Sequence, residues 1–324
     1  MRFLFCLLVT WILHSFNVNA QVTWENVDSL YQPLPANVHV YRTNSSIESR
    51  KQIAYYVIAD LKDKKLEFTV DTSQGRRLSP SQFFEKNKKP VVVVNTTFFS
   101  FATNSNLNIV MKNKKLLAYN IHTIPGKGRD TFQYSHPLGS AIGISKKRKA
   151  DVSWIFTDST SRKAYHIDQP AGPVKNKSAS FPLDSARHYT SIKLPSSRKT
   201  LQKWKMVTAV GGGPVLVQNG QVNITNNEEM KFGGKAQFDR HPRTLMGYTS
   251  DNKIIIMVIE GRNPGMAEGV TLPEAAQLLK DIGCIEALNL DGGGSSCMLV
   301  NGKPTIKVSD RTGERAVPAV FLIK

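Results

Sequence analysis

The chain has 324 residues, of which 40% are hydrophobic and 21% charged, and it carries a formal charge of +18. This composition excludes a disordered chain, and the length suits one large domain or two small ones. The positive charge favours an anionic partner, such as a phosphorylated glycan, nucleic acid or an acidic membrane surface, although a charge that only aids solubility explains it equally well. Because the chain has no zinc-finger spacing and no RNA-recognition motif, we do not expect nucleic acid as its partner.

The first 20 residues have the pattern of a secretory signal peptide. Arg2 precedes an apolar run from Phe3 to Leu13, and Ala20 provides a small residue at a cleavage point. The run is short for a bilayer span, although an uncleaved anchor is the alternative, and no later stretch is long and apolar enough to cross. We therefore predict a secreted or periplasmic mature chain of residues 21–324, with no membrane span after cleavage.

Short apolar or β-branched segments recur along the chain and predict strands. Residues 38–42, 53–60 and 65–71 come first, and residues 90–95 (PVVVVN) form a continuous apolar run that suits a strand buried on both faces. Hairpins are predicted at residues 108–120, 214–224 and 297–308, with turns at Asn113-Lys114, Asn219-Gly220 and Asn301-Gly302. Further strands are predicted at residues 141–145, 152–158, 206–210, 243–249, 253–261, 285–290 and 316–323.

One helix is well signalled. Thr271 and Glu274 form a T-x-x-E capping box, an apolar stripe of helical spacing continues to Ile282, and Gly283 stands at the expected C′ position. Residues 159–205, rich in Ser, Lys, Arg and Pro, predict an insertion or a long loop region instead. Because strand signals far outnumber helix signals, we expect an α+β fold with a large mixed sheet and few helices.

Three Gly-rich or polar loops each follow an apolar strand, at residues 95–99, 211–214 and 291–296. Glycine permits positive φ and close approach of a ligand, and successive N–H groups can form an anion-binding nest. Each loop alone could be a tight turn, but three loops at strand ends favour one shared site. None fits a Walker or dinucleotide motif, and residues 293–297 lack the final Gly of a nucleophile elbow.

Four charged residues accompany these loops and are candidates for chemistry: Arg243, Glu260, Arg262 and Asp291. A guanidinium group can donate two parallel hydrogen bonds to a phosphate, although a structural pair of Arg and carboxylate is the alternative at each position. Glu274 is expected to serve the capping box, and His241 to be a loop residue instead of a base.

Cys284 and Cys297 are the cysteines that remain after removal of the leader. In an oxidising compartment their 13-residue separation permits a disulfide, and two buried free thiols are the alternative. The pair does not have the spacing of a metal site completed by two His residues.

Three segments together resemble the catalytic domain of the phosphodiester glycosidase family: GGGPVLVQNG, HPRTLMGYTSDNKIIIMVIEGR and TLPEAAQLLKDIGCIEALNLDGGGSSCMLVNG. The resemblance covers roughly residues 90–324, and residues 243–302 are its most specific part. It implies a mixed α/β or α+β fold and hydrolysis of a bond between a sugar's anomeric carbon and a phosphate. We therefore interpret residues 21–89 as N-terminal strands of the same globular unit and residues 90–324 as the catalytic domain.

The resemblance also implies site residues on each loop: Asn95, Phe98-Phe99, Gly212-Gly213-Pro214, Arg243-Thr244, Gly261-Arg262, Glu274, Asn289 and Asp291-Gly292-Gly293-Gly294-Ser295. One departure concerns Thr96 and Thr97, which stand where the family usually has Gly-Gly. Because β-branched residues cannot adopt positive φ cheaply, this loop is expected to follow another path or to present its hydroxyls to the ligand.

For a sugar-1-phosphodiester substrate, we predict that Arg243 and Arg262 hold the phosphate, helped by the N–H groups of residues 211–213. Asp291 or Glu260 would act on the sugar side, as a base toward water or as a nucleophile. Further substrate contacts are expected from Asn95, Thr96, Thr97, Phe98, Gly212, Gly213, Thr244, Gly292, Gly293 and Ser295.

No cofactor is expected, and a divalent cation near Asp291 is compatible with the sequence without being diagnosed by it. The competing interpretation is a non-catalytic exported protein that binds phosphorylated or acidic glycans. The Thr96-Thr97 departure favours this binder, whereas the four charged residues favour the enzyme.

Overall fold

The structure, a computed structural model, describes residues 22–181 and 201–324. Its strands form five sheets, and every pairing between the described strands is antiparallel. The few short helices among many strands confirm the α+β class. The expected mixed sheet is wrong, because the strands are divided among several sheets whose described pairings are all antiparallel. Twisted open sheets rarely grow beyond about ten strands.

The largest sheet has eight strands and contributes two of the candidate loops. The 211–214 loop leads into a hairpin at one edge of this sheet, and one of the inner strands leads into the loop that begins at Asp291. In spatial order its strands are β1 (Glu25–Asn26), β2 (Val38–Thr43), β5 (Ala54–Asp60), β21 (Lys253–Ile259), β20 (Arg243–Thr249), β22 (Cys284–Asn289), β18 (Val215–Gln218) and β19 (Gln221–Val222).

A second sheet has seven strands, and its strand β17 leads into the 211–214 loop. In spatial order they are β16 (Gln202–Lys203), β14 (Lys163–Ile167), β13 (Ala150–Asp158), β12 (Gly139–Ser145), β17 (Met206–Gly211), β8 (Val110–Lys112) and β9 (Lys115–Ala118). The stretch 159–205 thus contains strands β14, β15 (Val174–Asn176) and β16, and residues 182–200 of it lie outside the described residues.

A third sheet has five strands, and its central strand β7 leads into the Asn95 loop. The order is β24 (Lys303–Pro304), β23 (Met298–Val300), β7 (Val92–Asn95), β25 (Ala319–Ile323) and β6 (Phe68–Thr72). Two small sheets complete the fold, one of β10 (Ile124–Pro125), β11 (Tyr134–His136) and β15 (Val174–Asn176), the other of β3 (Ser46–Ile47) and β4 (Arg50–Lys51).

The helices are α1 (Pro80–Lys86), α2 (Asn226–Glu229) and α3 (Leu272–Asp281). Helix α3 is the predicted one: the Thr271 hydroxyl accepts from the Glu274 N–H, and the Glu274 carboxylate accepts from the Thr271 N–H. Helix α1 has the same kind of capping box, formed by Ser79 and Gln82, but sequence analysis missed it because the helix has only 7 residues. The S-x-x-Q spacing before Pro80 was the available signal.

The three predicted hairpin turns are confirmed. Asn113 and Lys114, Asn219 and Gly220, and Asn301 and Gly302 all have positive φ, as two-residue hairpin turns require. Cys284 and Cys297 are both buried and both free, so the alternative of two buried thiols is the one observed. Within residues 22–181 and 201–324, no helix is long and apolar enough to cross a membrane.

Candidate active site

The ends of three strands meet around Asp291. The Asp291 N–H donates to the Thr96 carbonyl over 2.7 Å, and the Leu290 N–H donates to the Thr244 carbonyl over 2.8 Å. These bonds fix the start of the 291–296 loop between the end of β7 and the start of β20. Residues predicted from three separate segments therefore occupy one place in the fold.

Asn95 braces this junction from inside the protein. Its Nδ2 donates to the Asp291 carbonyl over 2.6 Å, while its Oδ1 accepts from Thr244 Oγ1 over 2.8 Å and from the Cys297 N–H over 3.1 Å. The side chain is completely buried. Asn95 was predicted to touch the ligand, and the structure gives it a positioning role, because its amide binds the segments that carry the site.

The hydroxyls of Thr96 and Thr97 point into the protein. Thr96 Oγ1 donates to the Ala319 carbonyl over 3.2 Å, and Thr97 Oγ1 donates to Asn106 Oδ1. Both residues are buried, and neither has positive φ. The expectation that the two hydroxyls face a ligand is therefore not met, because both are bonded within the protein.

The glycines of the 211–214 loop allow close packing of backbones. A Cβ at Gly212 would lie 2.4 Å from the Asn289 carbonyl oxygen, and one at Gly213 would lie 2.2 Å from Glu229 Oε2. The Gly212 N–H donates to the Ser140 carbonyl over 3.0 Å, and the Gly213 N–H donates to the Asn289 carbonyl over 2.7 Å. The prediction that these N–H groups hold a phosphate is therefore wrong, because protein carbonyls already accept from them.

The glycines of the 291–296 loop have a different use, since they let two guanidinium groups lie against the backbone. A Cβ at Gly293 would lie 3.0 Å from Arg262 Nη2, and one at Gly294 would lie 2.2 Å from Arg315 Nη2. Gly293 has φ +62°, and its N–H donates to the Pro242 carbonyl over 2.8 Å. Any side chain at Gly294 would displace Arg315.

The pKa of the Asp291 carboxyl group, at the start of this loop, is strongly shifted. Burial raises its pKa to about 7, and the Ser295 hydroxyl, the Arg315 guanidinium and the Gly292 N–H oppose that rise. The Ser295 hydroxyl acts on the Asp291 carboxyl, yet within the described part of the chain Asp291 Oδ2 and Ser295 Oγ have no partner in hydrogen-bond geometry. A carboxyl group that titrates near neutral pH can take up or release a proton under physiological conditions.

The two predicted phosphate ligands, Arg243 and Arg262, differ sharply. Arg243 is buried, and it donates through Nε to the Val270 carbonyl over 3.0 Å and through Nη2 to the Asp239 carbonyl over 2.8 Å. Burial lowers its pKa to about 10, so it remains charged at neutral pH. Arg262 is exposed, and its guanidinium makes no hydrogen bond or ion pair to any described residue. The N–H donors of Arg262 are therefore available to a ligand, whereas two groups of Arg243 donate to backbone carbonyls.

Glu260 is held within the protein. Its Oε2 accepts from the Lys307 N–H over 3.1 Å, and its Oε1 accepts from Asn263 Nδ2 over 3.5 Å. The residue is 5% exposed. Glu260 thus ties the 261–268 turn to the segment after β24, which leaves Asp291 as the stronger candidate for proton transfer. Glu274 keeps its capping role and also forms an ion pair with Arg240.

Sequence analysis missed Arg315 and undervalued His241. Arg315 donates through Nε to Asp310 Oδ2 over 2.6 Å and lies on the Asp291 loop. Its position shortly before the last strand, comparable to that of Arg243 at the start of β20, was the available signal. Nδ1 of His241 is buried and has no hydrogen-bond partner in residues 22–181 and 201–324, and burial together with Arg243 and Arg262 lowers the pKa of His241. A neutral imidazole therefore stands beside the two arginines at pH 7.

Among the described residues, no group of three or more His, Cys, Asp or Glu side chains could hold a metal ion. The site is built instead from one carboxyl group, guanidinium groups and buried polar atoms. Besides Asp291 Oδ2 and Ser295 Oγ, the Oδ1 of Asn289 has no protein partner. Such an arrangement can bind an anion and move one proton.

Part of the chain matches one known protein family. Residues 170–324 match the model of the phosphodiester glycosidase family. The match spans Arg243, Arg262, Asp291 and Arg315, and it confirms the resemblance over the part that carries the charged site residues. The Asn95 loop lies outside the matched range. At the level of the family, the match supports a hydrolase of the phosphodiester glycosidase type.

Two curated proteins match this chain over short segments. A prophage-derived uncharacterized protein of Bacillus subtilis is 41% identical over 78 residues, which is 24% of this chain and 12% of that protein. The mouse N-acetylglucosamine-1-phosphodiester α-N-acetylglucosaminidase is 28% identical over 104 residues, which is 30% of this chain and 20% of that enzyme. The matches thus span a fifth or less of each relative's length.

A solved structure from the phosphodiester glycosidase family shares the fold. The catalytic domain of the zebrafish N-acetylglucosamine-1-phosphodiester α-N-acetylglucosaminidase, in a form auto-inhibited by its pro-peptide, aligns with a TM-score of 0.58. The alignment covers 93% of this chain and 87% of that domain at 17% identity. The similarity therefore extends through the N-terminal strands, which the family match does not reach.

Proposed function

We propose that this protein is an exported hydrolase that cleaves a sugar-1-phosphodiester in a glycan or glycoconjugate. One observation carries the proposal. The Asp291 carboxyl group has a pKa of about 7, and two guanidinium groups lie against the loop that begins with this residue. The leader-like residues 1–20 support export, although they lie outside the described residues. The mouse and zebrafish enzymes make N-acetylglucosamine the first sugar to test.

Binding of the phosphate falls to Arg262 and Arg315. Arg262 has no hydrogen-bond or ion-pair partner among the described residues, and Arg315 donates to them through its Nε, to Asp310, which leaves both Nη groups of Arg315 for a ligand. A phosphate is recognised well by such forked donors. Arg243 has a positioning role, because its Nε and Nη2 donate to the backbone carbonyls of residues 270 and 239.

Asp291 acts on the sugar side. The bond between the anomeric carbon and the phosphate oxygen breaks, the phosphate leaves with the electron pair as a monoester, and water supplies the new oxygen at the anomeric carbon. Asp291 accepts the proton of that water as a general base, or attacks first as a nucleophile. A phosphate monoester is a good leaving group, so stabilising its charge matters more than protonating it.

Kinetics of two variants test this assignment. Asp291→Asn and Arg262→Ala should each lower turnover on an N-acetylglucosamine-1-phosphodiester by about a hundredfold or more, since each removes a group that acts in the transition state. Asp281→Asn and Arg311→Ala are matched controls, because both residues are exposed and lie outside the site. The measurement is release of free sugar by proteins whose thermal unfolding shows that they are folded.

Two results would contradict the proposal. Turnover close to that of the unaltered protein in both variants would remove Asp291 and Arg262 from the reaction. Binding of the diester without any sugar release by the unaltered protein would favour the non-catalytic glycan binder.

A further inference from the structure

A cationic cluster continues from the Asp291 loop across an exposed aromatic ring. The Arg315 guanidinium carbon lies 5.4 Å from the centre of the Phe101 ring, and that of Arg77 lies 5.0 Å from the same centre. Phe101 is 61% exposed, so a large apolar ring that contacts two cations lies at the surface. We call Arg77, Phe101 and Arg315 the arginine–phenylalanine cluster.

The arrangement of the cluster is fixed by its neighbours. Phe99, which is buried, packs against Phe101 with ring centres 4.8 Å apart and also lies 5.4 Å from the Arg77 guanidinium carbon. Arg315 is held by Asp310. The cations are thus positioned by stacking and one ion pair, which leaves most of their N–H donors unused.

Arg77 has no evident structural task beyond these ring contacts. Its guanidinium makes no hydrogen bond and no ion pair with any residue in the ranges 22–181 and 201–324. Exposed cations are usually placed near opposite charges or left in water, and few are stacked on an exposed ring. A positioned cation with free donors at the edge of a site is suited to bind an anion.

Arg77 and Arg315 differ in their relation to Asp291. Arg315 lies against Gly294 and is among the groups that act on the Asp291 carboxyl, whereas Arg77 is not. Arg315 is therefore placed at the scissile phosphate, and Arg77 lies further out along the Phe101 ring. A ligand that reaches Arg77 must extend beyond the phosphate that is cleaved.

We infer that the arginine–phenylalanine cluster is a subsite for a second anionic group, carried by the aglycone of the substrate. The substrate class is then a sugar-1-phosphodiester whose leaving portion bears a further phosphate or carboxylate, as in an acidic glycan or a polymer of phosphodiesters. This inference rests on the proposed function for the position of the scissile phosphate. It also gives the overall charge of +18 a local role.

Two diesters with the same sugar test the subsite: N-acetylglucosamine-1-phosphate joined to glycerol, and the same compound with a terminal phosphate on the glycerol. At low salt the unaltered protein should have a kcat/KM about fivefold or more higher for the second compound. Arg77→Ala should remove that preference mainly through KM, with kcat retained. The preference should shrink as salt is raised, since the cluster is exposed.

Arg76→Ala is the matched control, because Arg76 is the exposed neighbour of Arg77 and makes no ring contact. It removes the same charge and should leave the preference intact. Arg77→Lys keeps the charge and should retain part of the preference. An equal fall of kcat/KM on both diesters in Arg77→Ala, or the absence of any preference in the unaltered protein, would overturn the inference.

Calorimetric binding to Asp291→Asn separates this inference from the proposed function. If the unaltered protein releases no sugar, but Asp291→Asn still binds the doubly charged diester more tightly in an Arg77-dependent manner, the hydrolase proposal fails and the subsite stands. If sugar is released but neither rate nor binding depends on Arg77, the subsite fails and the hydrolase stands.

Discussion

Two carboxyl groups with buried oxygens, those of Glu229 and Asp291, have opposite surroundings. Glu229 Oε1 accepts hydrogen bonds from Thr225 Oγ1, the Val215 N–H and Trp154 Nε1, at 2.7, 2.8 and 3.2 Å. Its Oε2 accepts from the N–H and the hydroxyl of Ser140, at 3.0 and 2.8 Å. Asp291 Oδ2 accepts from none of the described residues.

The difference separates a structural carboxylate from a reactive one. Five donors converge on Glu229 from three strands or their flanks and one short helix, so its charge is compensated within the fold. Asp291 is less buried as a residue, but its buried Oδ2 accepts no hydrogen bond from the described residues, so burial of that oxygen makes the charged form costly. Uncompensated burial of this kind is characteristic of groups that exchange protons.

Removing the compensated carboxylate should have the largest effect on stability. Glu229→Gln replaces one acceptor oxygen with a donor group that faces donors, so we expect the free energy of unfolding to fall by about 3–5 kcal/mol. Denaturant unfolding measures this change. Glu228→Gln, at the adjacent and partly exposed position, is the control and should differ little from the unaltered protein. A similar small loss for both variants would remove the contrast with Asp291.

Asp291→Asn should instead stabilise the protein at high pH. The pKa of Asp291 is raised to about 7 in the fold, so its contribution to stability is complete below its usual pKa and is lost as the pH rises through about 7. The variant does not suffer this loss. We expect unfolding free energies that agree near pH 4 and differ by roughly 2–3 kcal/mol in favour of Asn near pH 8. Parallel pH profiles of the two proteins would show that Asp291 is not perturbed.

A matched pair of buried serines gives the smallest and sharpest test. The Ser140 hydroxyl donates to Glu229 over 2.8 Å, whereas Ser295 Oγ has no partner in hydrogen-bond geometry among the residues that the structure describes. Ser140→Ala should cost about 1–2 kcal/mol, because it leaves an acceptor of a buried carboxylate without one donor. Ser295→Ala should change stability by less than about 0.5 kcal/mol. Thermal unfolding of both variants decides the matter, and a reversed order would break the comparison.

Features set by local sequence were predictable from the chain. The capping box at Thr271 and Glu274, the hairpin turns at Asn219-Gly220 and Asn301-Gly302, and the apolar run before Asn95 each depend on residues close in sequence. Their periodicity and turn chemistry act through the adjacent backbone, so the pattern carries the structure.

The partners of polar side chains were not predictable in the same way. Glu229 stands in NNEE, which has no periodic signal, yet its donors lie up to 89 residues away. Likewise, the Gly211-Gly-Gly motif suggested an anion nest, but the N–H groups of Gly212 and Gly213 donate to backbone carbonyls of β12 and β22. A sequence shows which groups can bond, whereas the assembly of distant strands decides with which partner they do so.

The burial of Asn95 has a consequence for how the protein can be made. Asn95-Thr96-Thr97 is an acceptor sequence for N-linked glycans, and such glycans are attached to exported chains in cells that carry the transferase. Its side-chain nitrogen is the atom that donates to the Asp291 carbonyl, in a place with no room for a saccharide. A chain glycosylated there could not close its active site, so a host without this modification is the suitable source of working protein.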